Sequence, residues 1–132
     1  ENSNLDGIYT EWYENGLKKL DAIYTDGKLL NKSLLEYYDN GQVKSEKYFK
    51  DNQLYGNSTF WHRNGQKFGE GNYKDNKPDS KWIWWNKKGQ KIEEAIYKDG
   101  DLINKTIFKY SYFTRHLKSE KKYIDGQCIS GC

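Results

Sequence analysis

Residues 37–52 read YYDNGQVKSEKYFKDN, a stretch whose pattern recurs along the chain at a nearly constant interval. Its Asn-Gly dipeptide recurs with evenly spaced glycines at Gly16, Gly41, Gly65 and Gly89, and in the last of these copies Lys replaces Asn. A second turn signal follows each glycine at a fixed distance, at Asp26-Gly27, Asp51-Asn52, Asp75-Asn76 and Asp99-Gly100. A period of about 24 residues is typical of an array of one small supersecondary unit, so we expect function to lie in a repeated surface.

The composition predicts a thin sheet. Among 132 residues the hydrophobic fraction is 35% and the mean hydropathy is -1.14. This composition contains too few apolar residues to fill a thick two-layer core. The apolar content is concentrated in 12 Tyr, 5 Trp and 5 Phe. Aromatic rings bury large areas while Tyr and Trp keep a polar tip or edge, so these residues suit a sheet whose faces are partly wet.

The charges exclude some partner classes. The 22 basic and 19 acidic residues are interspersed and leave a net charge of +3, so we expect no strong field of one sign. Arg63 and Arg115 are the only arginines, and base and phosphate readout relies on arginine. We therefore expect no specific nucleic-acid partner. No apolar run approaches the length that spans a bilayer, so no transmembrane segment is expected.

Cys128 and Cys132 are the only cysteines. Their spacing fits either a small disulfide loop or two free thiols, and a zinc site needs more ligands than this region offers. We expect neither a metal nor another cofactor. The chain lacks Met and opens with Glu-Asn-Ser-Asn, as a processed mature protein or a trimmed fragment does. This favours the bacterial envelope or secretion over the cytoplasm.

Superposition of the four glycines reveals a fifth unit with Arg115 in the glycine position, because LKSE at 117–120 matches VKSE at 43–46. The five units carry an acid row at Asp21, Glu46, Glu70, Glu94 and Glu120. They carry a second, aromatic row at Tyr24, Phe49, Tyr73, Tyr97 and Tyr123. A further aromatic precedes each turn at Trp12, Tyr37, Trp61, Trp85 and, after a longer turn, Tyr110.

These repeats predict an all-β fold, an antiparallel meander of about ten strands from five 24-residue β-hairpin units. The units are too short for helical crossovers between parallel strands. We expect one domain over 1–132 with units at 7–30, 31–54, 55–78, 79–102 and 103–126, followed by a tail at 127–132. The sheet should be open, twisted and single-layered. Asn-Gly favours a two-residue type I′ turn, in which both residues need positive φ.

The motifs YYDNGQVKSE at 37–46 and YFKDN at 48–52 resemble the bacterial variant of the MORN repeat, the membrane occupation and recognition nexus motif. The stretches FWHRNGQK at 60–67 and GEGNYKDN at 69–76 carry the same likeness, which covers nearly the whole chain. The resemblance implies a β-hairpin array. It also implies an antitoxin-like component, because some proteins of this family carry that label.

Cross-strand pairing predicts which rows share a face. A two-residue Asn-Gly loop places the row of Trp12, Tyr37, Trp61 and Trp85 on the face of the acid row, and the row that begins with Tyr24 on the other face. A bulge beside a turn would reverse this for the following strand. The cluster Trp82-Ile83-Trp84-Trp85 must divide its side chains between both faces.

The acid row has two interpretations. Equivalent carboxylates two strands apart lie about 9.5 Å from each other, at the wide limit for an inverting glycosidase pair. The five acids also have lysine neighbours throughout, as in a charge ladder that fixes register. Catalysis needs two carboxylates in different environments, and neither His62 nor His116 completes a triad. We therefore predict a structural acid row, no catalytic residues and no enzyme.

The leading functional hypothesis is a non-catalytic module that binds another protein through an aromatic-bearing sheet face, since Trp and Tyr are enriched at interface hot spots. Its candidate residues are Trp12, Tyr37, Trp61, Trp84 and Trp85. One alternative is binding of a carbohydrate or cell-wall glycan by tryptophans beside the acids. Another is peripheral contact of the lysines with an anionic membrane surface. Open edge strands also predict self-association.

Overall fold

The computed structural model describes residues 5–132, and these form one antiparallel sheet with no helix. The all-β meander expected from the repeats is confirmed. The strands are β1 Gly7–Trp12, β2 Lys18–Thr25, β3 Lys28–Tyr37, β4 Val43–Lys50, β5 Gln53–Leu54, β6 Gly56–Trp61, β7 Lys67–Lys74, β8 Lys77–Trp85, β9 Lys91–Lys98, β10 Asp101–Tyr110, β11 Leu117–Ile124 and β12 Gln127–Ser130.

Apart from β5, the strands pair in sequence order, and the order across the sheet is β1-β2-β3-β4-β6-β7-β8-β9-β10-β11-β12. The short β5 pairs only with β4. Twelve strands occur in place of about ten for two reasons. Tyr55 separates β5 from β6, and residues 127–130 of the expected tail form β12 against β11.

The Asn-Gly corners contain three-residue loops, so the predicted type I′ turn is wrong there. The Tyr38 N–H donates to the Gln42 carbonyl at 2.8 Å, and the Gly41 N–H donates back to the Tyr38 carbonyl at 3.0 Å. Gly41 takes φ of 84°, whereas Asn40 has no positive φ. This is a type I turn followed by a left-handed residue and a bulge. Arg115 takes the same left-handed conformation in the fifth unit, with φ of 59°.

Type I′ geometry occurs at the other corners. Asp26 and Gly27 have φ of 50° and 77°, and Asp51 and Asn52 have φ of 49° and 60°. Thr25 pairs with Lys28 across the first of these turns, so the loop holds two residues. Asp, Asn and Gly tolerate this conformation better than other residues, which explains their recurrence at these corners.

Neighbouring turns are also joined to each other. The Asn64 side chain accepts a bond from the Gln66 N–H at 3.0 Å and donates to the Lys87 carbonyl of the next turn at 3.0 Å. Asn40 repeats the arrangement, accepting from Gln42 and donating to the Arg63 carbonyl. The asparagine therefore closes its own turn and connects it to the following unit.

A continuous line of paired residues crosses seven strands and fixes the register. Glu36 pairs with Ser45, Ser45 with Phe60 and Phe60 with Gly69. The line continues through Trp84, Glu93 and Ile107. Since a one-residue slip would move every side chain to the opposite face, this line determines what each face presents.

Buried residues in the described sheet are few and mostly small. Ala22, Ser45, Ser58 and Ala95 are buried, and Trp82 is the one buried large side chain. The Trp82 ring lies over Gly71, and its indole N–H donates to the Asn72 carbonyl at 3.0 Å. Small residues let aromatic rings lie flat on the sheet, so one layer of strands acquires a local core without a second layer.

This packing predicts a sharp difference between two glycines. A Cβ at Gly71 would stand 2.0 Å from the Trp82 ring, whereas a Cβ at Gly69 would stand 3.3 Å from Trp84. Neither glycine has a positive φ, so the effect is steric. Gly71→Ala should lower the free energy of unfolding by about 2 kcal/mol, as overpacking does. The matched variant Gly69→Ala should cost clearly less in urea unfolding, and equal costs would contradict this packing.

Candidate binding face

The predicted acid row consists of paired or hydrogen-bonded carboxylates. Lys18 lies 2.9 Å from Asp21, and Lys67 and Lys91 pair with Glu70 and Glu94 in the same i,i+3 arrangement. The bulge after each loop brings the lysine to the face of its acid. In the second unit, where Val43 replaces the lysine, Glu46 instead accepts from the Tyr48 hydroxyl at 2.7 Å.

These pairs set the ionisation of the row. Hydrogen bonds from Lys18 and Thr10 lower the pKa of Asp21, and bonds from Lys67 and Lys91 lower the pKa values of Glu70 and Glu94 respectively. Carboxylates with lowered pKa stay ionised at neutral pH and do not serve as general acids. The three acids share one environment, so none is distinguished from the others as a proton donor.

The two histidines lie apart from the acid row. The His62 Nε2 atom is 3.2 Å from the Trp85 carbonyl and the imidazole packs against Phe68, whereas His116 lies at the exposed last turn. Among residues 5–132, no three His, Cys, Asp or Glu side chains converge as metal ligands. The same residues include no helix that is long and apolar enough to cross a membrane.

We call the side of the sheet that bears the acid row the acid face. Thr59 pairs with Glu46 and Glu70 and stands two residues before Trp61, so Trp61 shares their face. Trp85 follows Ile83, the partner of Glu94, in the same way. The face assignment predicted from two-residue loops therefore agrees with the structure, because the extra loop residue and the bulge cancel.

Strand register changes the membership of the aromatic row. Ser45 pairs with both Glu36 and Phe60, and Gly69 pairs with both Phe60 and Trp84. Glu36, Phe60 and Trp84 therefore lie level with one another on alternate strands. One residue further along, Tyr37, Trp61 and Trp85 stand level with one another. The same register brings Phe108 level with Trp85, since Trp84 and Ile107 both pair with Glu93.

Two residues of the predicted row lie off this line. Leu20 pairs with Glu11 and Leu34, so Trp12 stands level with Leu35, two residues short of Tyr37. Tyr110 stands two residues beyond Phe108 on the same strand. We define the aromatic ladder as Tyr37, Trp61, Trp85 and Phe108, on β3, β6, β8 and β10. All four are half-buried, whereas Trp12 is 60% exposed.

Grooves accompany the ladder along the loop edge of the sheet. One of about 550 Å³ includes Tyr37, one of about 500 Å³ includes Trp85, and one of about 590 Å³ includes Phe108. These volumes fall within the range of about 300 to 1,000 Å³ that is usual for ligand sites. The grooves beside Tyr37 and Trp85 also include Glu36 and Trp84, which lie on the opposite side of the sheet. The acid face itself therefore offers a row of flat rings.

Trp84 does not belong to this face. Strand alternation turns it to the opposite side of the sheet from Trp85, where its ring stacks on Trp82 with centroids 5.7 Å apart. Phe60 and Tyr73 also contact Trp82, at 6.4 Å and 5.0 Å between ring centroids. Trp84 therefore contributes to the aromatic packing around the buried Trp82.

Two exposed aromatic residues were not among the candidates predicted from the sequence. Tyr112 and Phe113 form the tip of the last loop, 84% and 92% exposed, and the Lys88 amine lies 5.8 Å from the Tyr112 ring centroid. The signal was the longer last loop, in which Thr114-Arg115 stands in place of the turn dipeptide of the other units and Tyr112 and Phe113 precede it.

A separate groove of about 410 Å³ opens where the regular sheet is interrupted. Tyr55 stands between β5 and β6, and β4 pairs with β6 through only two residues. The groove is lined by Tyr48 and Tyr55 together with polar groups that include Asp21, Asn31 and Ser33. None of these residues except Asp21 was a candidate from the sequence.

The terminal cysteines are close together. Cys128 and Cys132 are joined by a disulfide in the structure, with Cα atoms 6.2 Å apart, inside the usual range for such bonds. Cys128 lies on β12, the last strand of the sheet. The redox state of this pair in the native compartment stays a prediction.

Comparison with known families supports the resemblance. The model of the MORN repeat variant matches residues 5–19, 31–51 and 54–75. These segments cover β1 and its loop, then β3, β4 and β5 to β7, and each contains an Asn-Gly corner. The match supports a MORN-repeat family for this chain. No curated protein matches the chain.

The acid row yields a prediction about pH. Because Lys67 lowers the pKa of Glu70, Lys67→Met should raise that pKa towards the ordinary value of a glutamate, measured by NMR titration of the side-chain carboxyl carbon. A lowered pKa stabilises the folded protein fully above the unfolded value, and the gain is lost as the pH falls through the folded value. The stability deficit of Lys67→Met should therefore be present at neutral pH and vanish in acid.

The control for this measurement is Lys44→Met. Lys44 lies 5.9 Å from the Tyr38 ring centroid and forms no ion pair with Glu70. Its removal should leave the Glu70 titration unchanged. An unchanged Glu70 pKa in Lys67→Met would contradict the pairing.

Proposed function

We propose that this chain is a non-catalytic binding module that contacts another protein through the aromatic ladder on its acid face. The observation that supports this most directly is the register that brings Tyr37, Trp61, Trp85 and Phe108 level on alternate strands. Half-buried rings in a row provide apolar contact area of the kind that hot spots use. The repeat architecture supports a binding role as well.

The charges beside the ladder fit the same role. Two of the acids between its rungs are paired with lysines, Glu70 with Lys67 and Glu94 with Lys81 at 3.1 Å. Paired rim charges favour orientation and specificity more than affinity. Residence in a bacterial envelope and an antitoxin-like role remain predictions that follow from the resemblance and the composition.

Comparative capture tests this proposal. The wild-type chain, Trp61→Ala and Phe113→Ala are immobilised and exposed to extract of the native source. Trp61→Ala should lose the captured protein because it removes a central rung, and Phe113→Ala should retain it because that ring lies at the loop tip, away from the ladder. Circular dichroism verifies that both variants are folded. Retention by Trp61→Ala together with loss by Phe113→Ala would reject the ladder as the contact.

A second candidate function is glycan binding in the groove lined by Tyr48 and Tyr55. The specific observation is the combination of two tyrosine rings with the polar Asn31 and Ser33 side chains, which form no hydrogen bond to other described residues. Fluorescence titration with cell-wall glycan fragments should show saturation that is lost in Tyr55→Ala. No response at millimolar fragment concentrations would end this candidate.

A further inference from the structure

The spacing of the aromatic ladder identifies a peptide conformation. Its rungs lie on alternate strands of an antiparallel sheet, so successive rungs are about 9.5 Å apart. A bound peptide contacts all four rungs in the same way only if equivalent side chains recur on one side of the peptide at the interval between the rungs. This condition separates the regular peptide conformations from one another.

Neither an extended strand nor an α-helix meets the condition. A β-strand returns to the same face every two residues, about 6.8 Å, and three residues along it the side chain points the opposite way. An α-helix returns to the same face after seven residues, about 10.5 Å, and would be about 3 Å out of phase after three intervals. A polyproline II helix repeats every three residues, about 9.3 Å. Over the three intervals of the ladder, its repeat differs from the spacing of the rungs by a total of less than about 1 Å.

We propose that the aromatic ladder binds a proline-rich peptide segment in the polyproline II conformation, with one turn of the ligand on each interval between rungs. This inference rests on the proposed protein-binding function and names the conformation of the partner. Aromatic-lined grooves recognise such segments because the helix is formed in advance and loses little entropy on binding.

Hydrogen bonding supports the same occupant. A polyproline II backbone makes no internal hydrogen bonds, so its carbonyls remain free acceptors. The indole N–H groups of Trp61 and Trp85 donate to no acceptor among the described residues, whereas that of Trp82 is bonded to Asn72. Two successive rungs therefore offer donors at the spacing of the ligand's turns.

The ladder also predicts the length of the segment. Four rungs enclose three intervals, about 28 Å in all. Three turns of polyproline II, or nine residues, span about 28 Å. Affinity should therefore rise as the ligand grows to three turns and then level off.

Calorimetric titration with blocked oligoprolines of one, two, three and four turns tests the inference, using the whole chain. The dissociation constant should fall at least tenfold between one turn and three turns and change little between three and four. A glycine-serine peptide as long as the three-turn oligoproline is the control ligand and should not bind. No binding of the three-turn oligoproline at millimolar concentration, or equal affinity for one turn and three turns, would overturn the inference.

Two tryptophan positions provide a matched pair of variants. Trp61→Leu keeps apolar bulk but removes the flat ring and its donor, and should abolish the gain beyond one turn of ligand. Trp12→Leu alters a more exposed tryptophan that stands level with Leu35 and off the ladder, and should leave all affinities unchanged. Equal losses in both variants would overturn the alignment argument, and Trp61→Phe tests whether a ring alone restores binding.

Failure of this inference is distinguishable from failure of the proposed function. If capture of the native partner depends on Trp61 but oligoprolines do not bind, the ladder contacts a partner of another conformation and the polyproline inference is overturned alone. If a glycan oligomer shows the Trp61-dependent rise with length and oligoprolines do not, the occupant is a carbohydrate and both proposals fail.

Discussion

The left-handed residue in each three-residue loop, together with the bulge that follows it, is the constraint on which the rest of the sheet depends. Gly41 provides it at no steric cost, and Arg115 takes the same conformation, at φ of 59°, in the four-residue loop of the fifth unit. A two-residue loop without the bulge would preserve the faces but change the pairing beside the turn. Because this corner brings lysine and acid together at positions i and i+3, it also determines the charge pairing of the acid face.

A described sheet with so few buried side chains must stabilise itself within one layer. Trp82 over Gly71 supplies the one large buried contact, and stacking with Trp84 at 5.7 Å extends it. Lysines over rings add further contacts, such as Lys32 4.7 Å from the Phe49 centroid, an attraction worth about 0.5–1 kcal/mol at exposed sites. The scarcity of aliphatic residues is consistent with this arrangement, because rings and long lysine stems cover the sheet better than short aliphatic chains.

The sequence predicted the meander, the rows and their faces, since the turn residues and their regular recurrence encode them locally. It did not predict the alignment between units, which depends on how many residues bulge after the second corner. On β3, one residue, Leu30, lies between Leu29 and Asn31, which pair with consecutive residues of β2. On β8, two residues lie between Asp79 and Trp82, which pair with consecutive residues of β7. That difference displaces Trp12 from the ladder and brings in Phe108, and no local propensity specifies it.

The central claim is therefore the strand register, and inter-strand backbone NOEs measure it most directly. We expect contacts of Ser45 with Phe60, of Gly69 with Trp84 and of Leu20 with Leu34. Together these place Tyr37, Trp61 and Trp85 level and Trp12 two residues away. Contacts displaced by one or more residues, above all any register that aligns Trp12 with Tyr37, would contradict the claim.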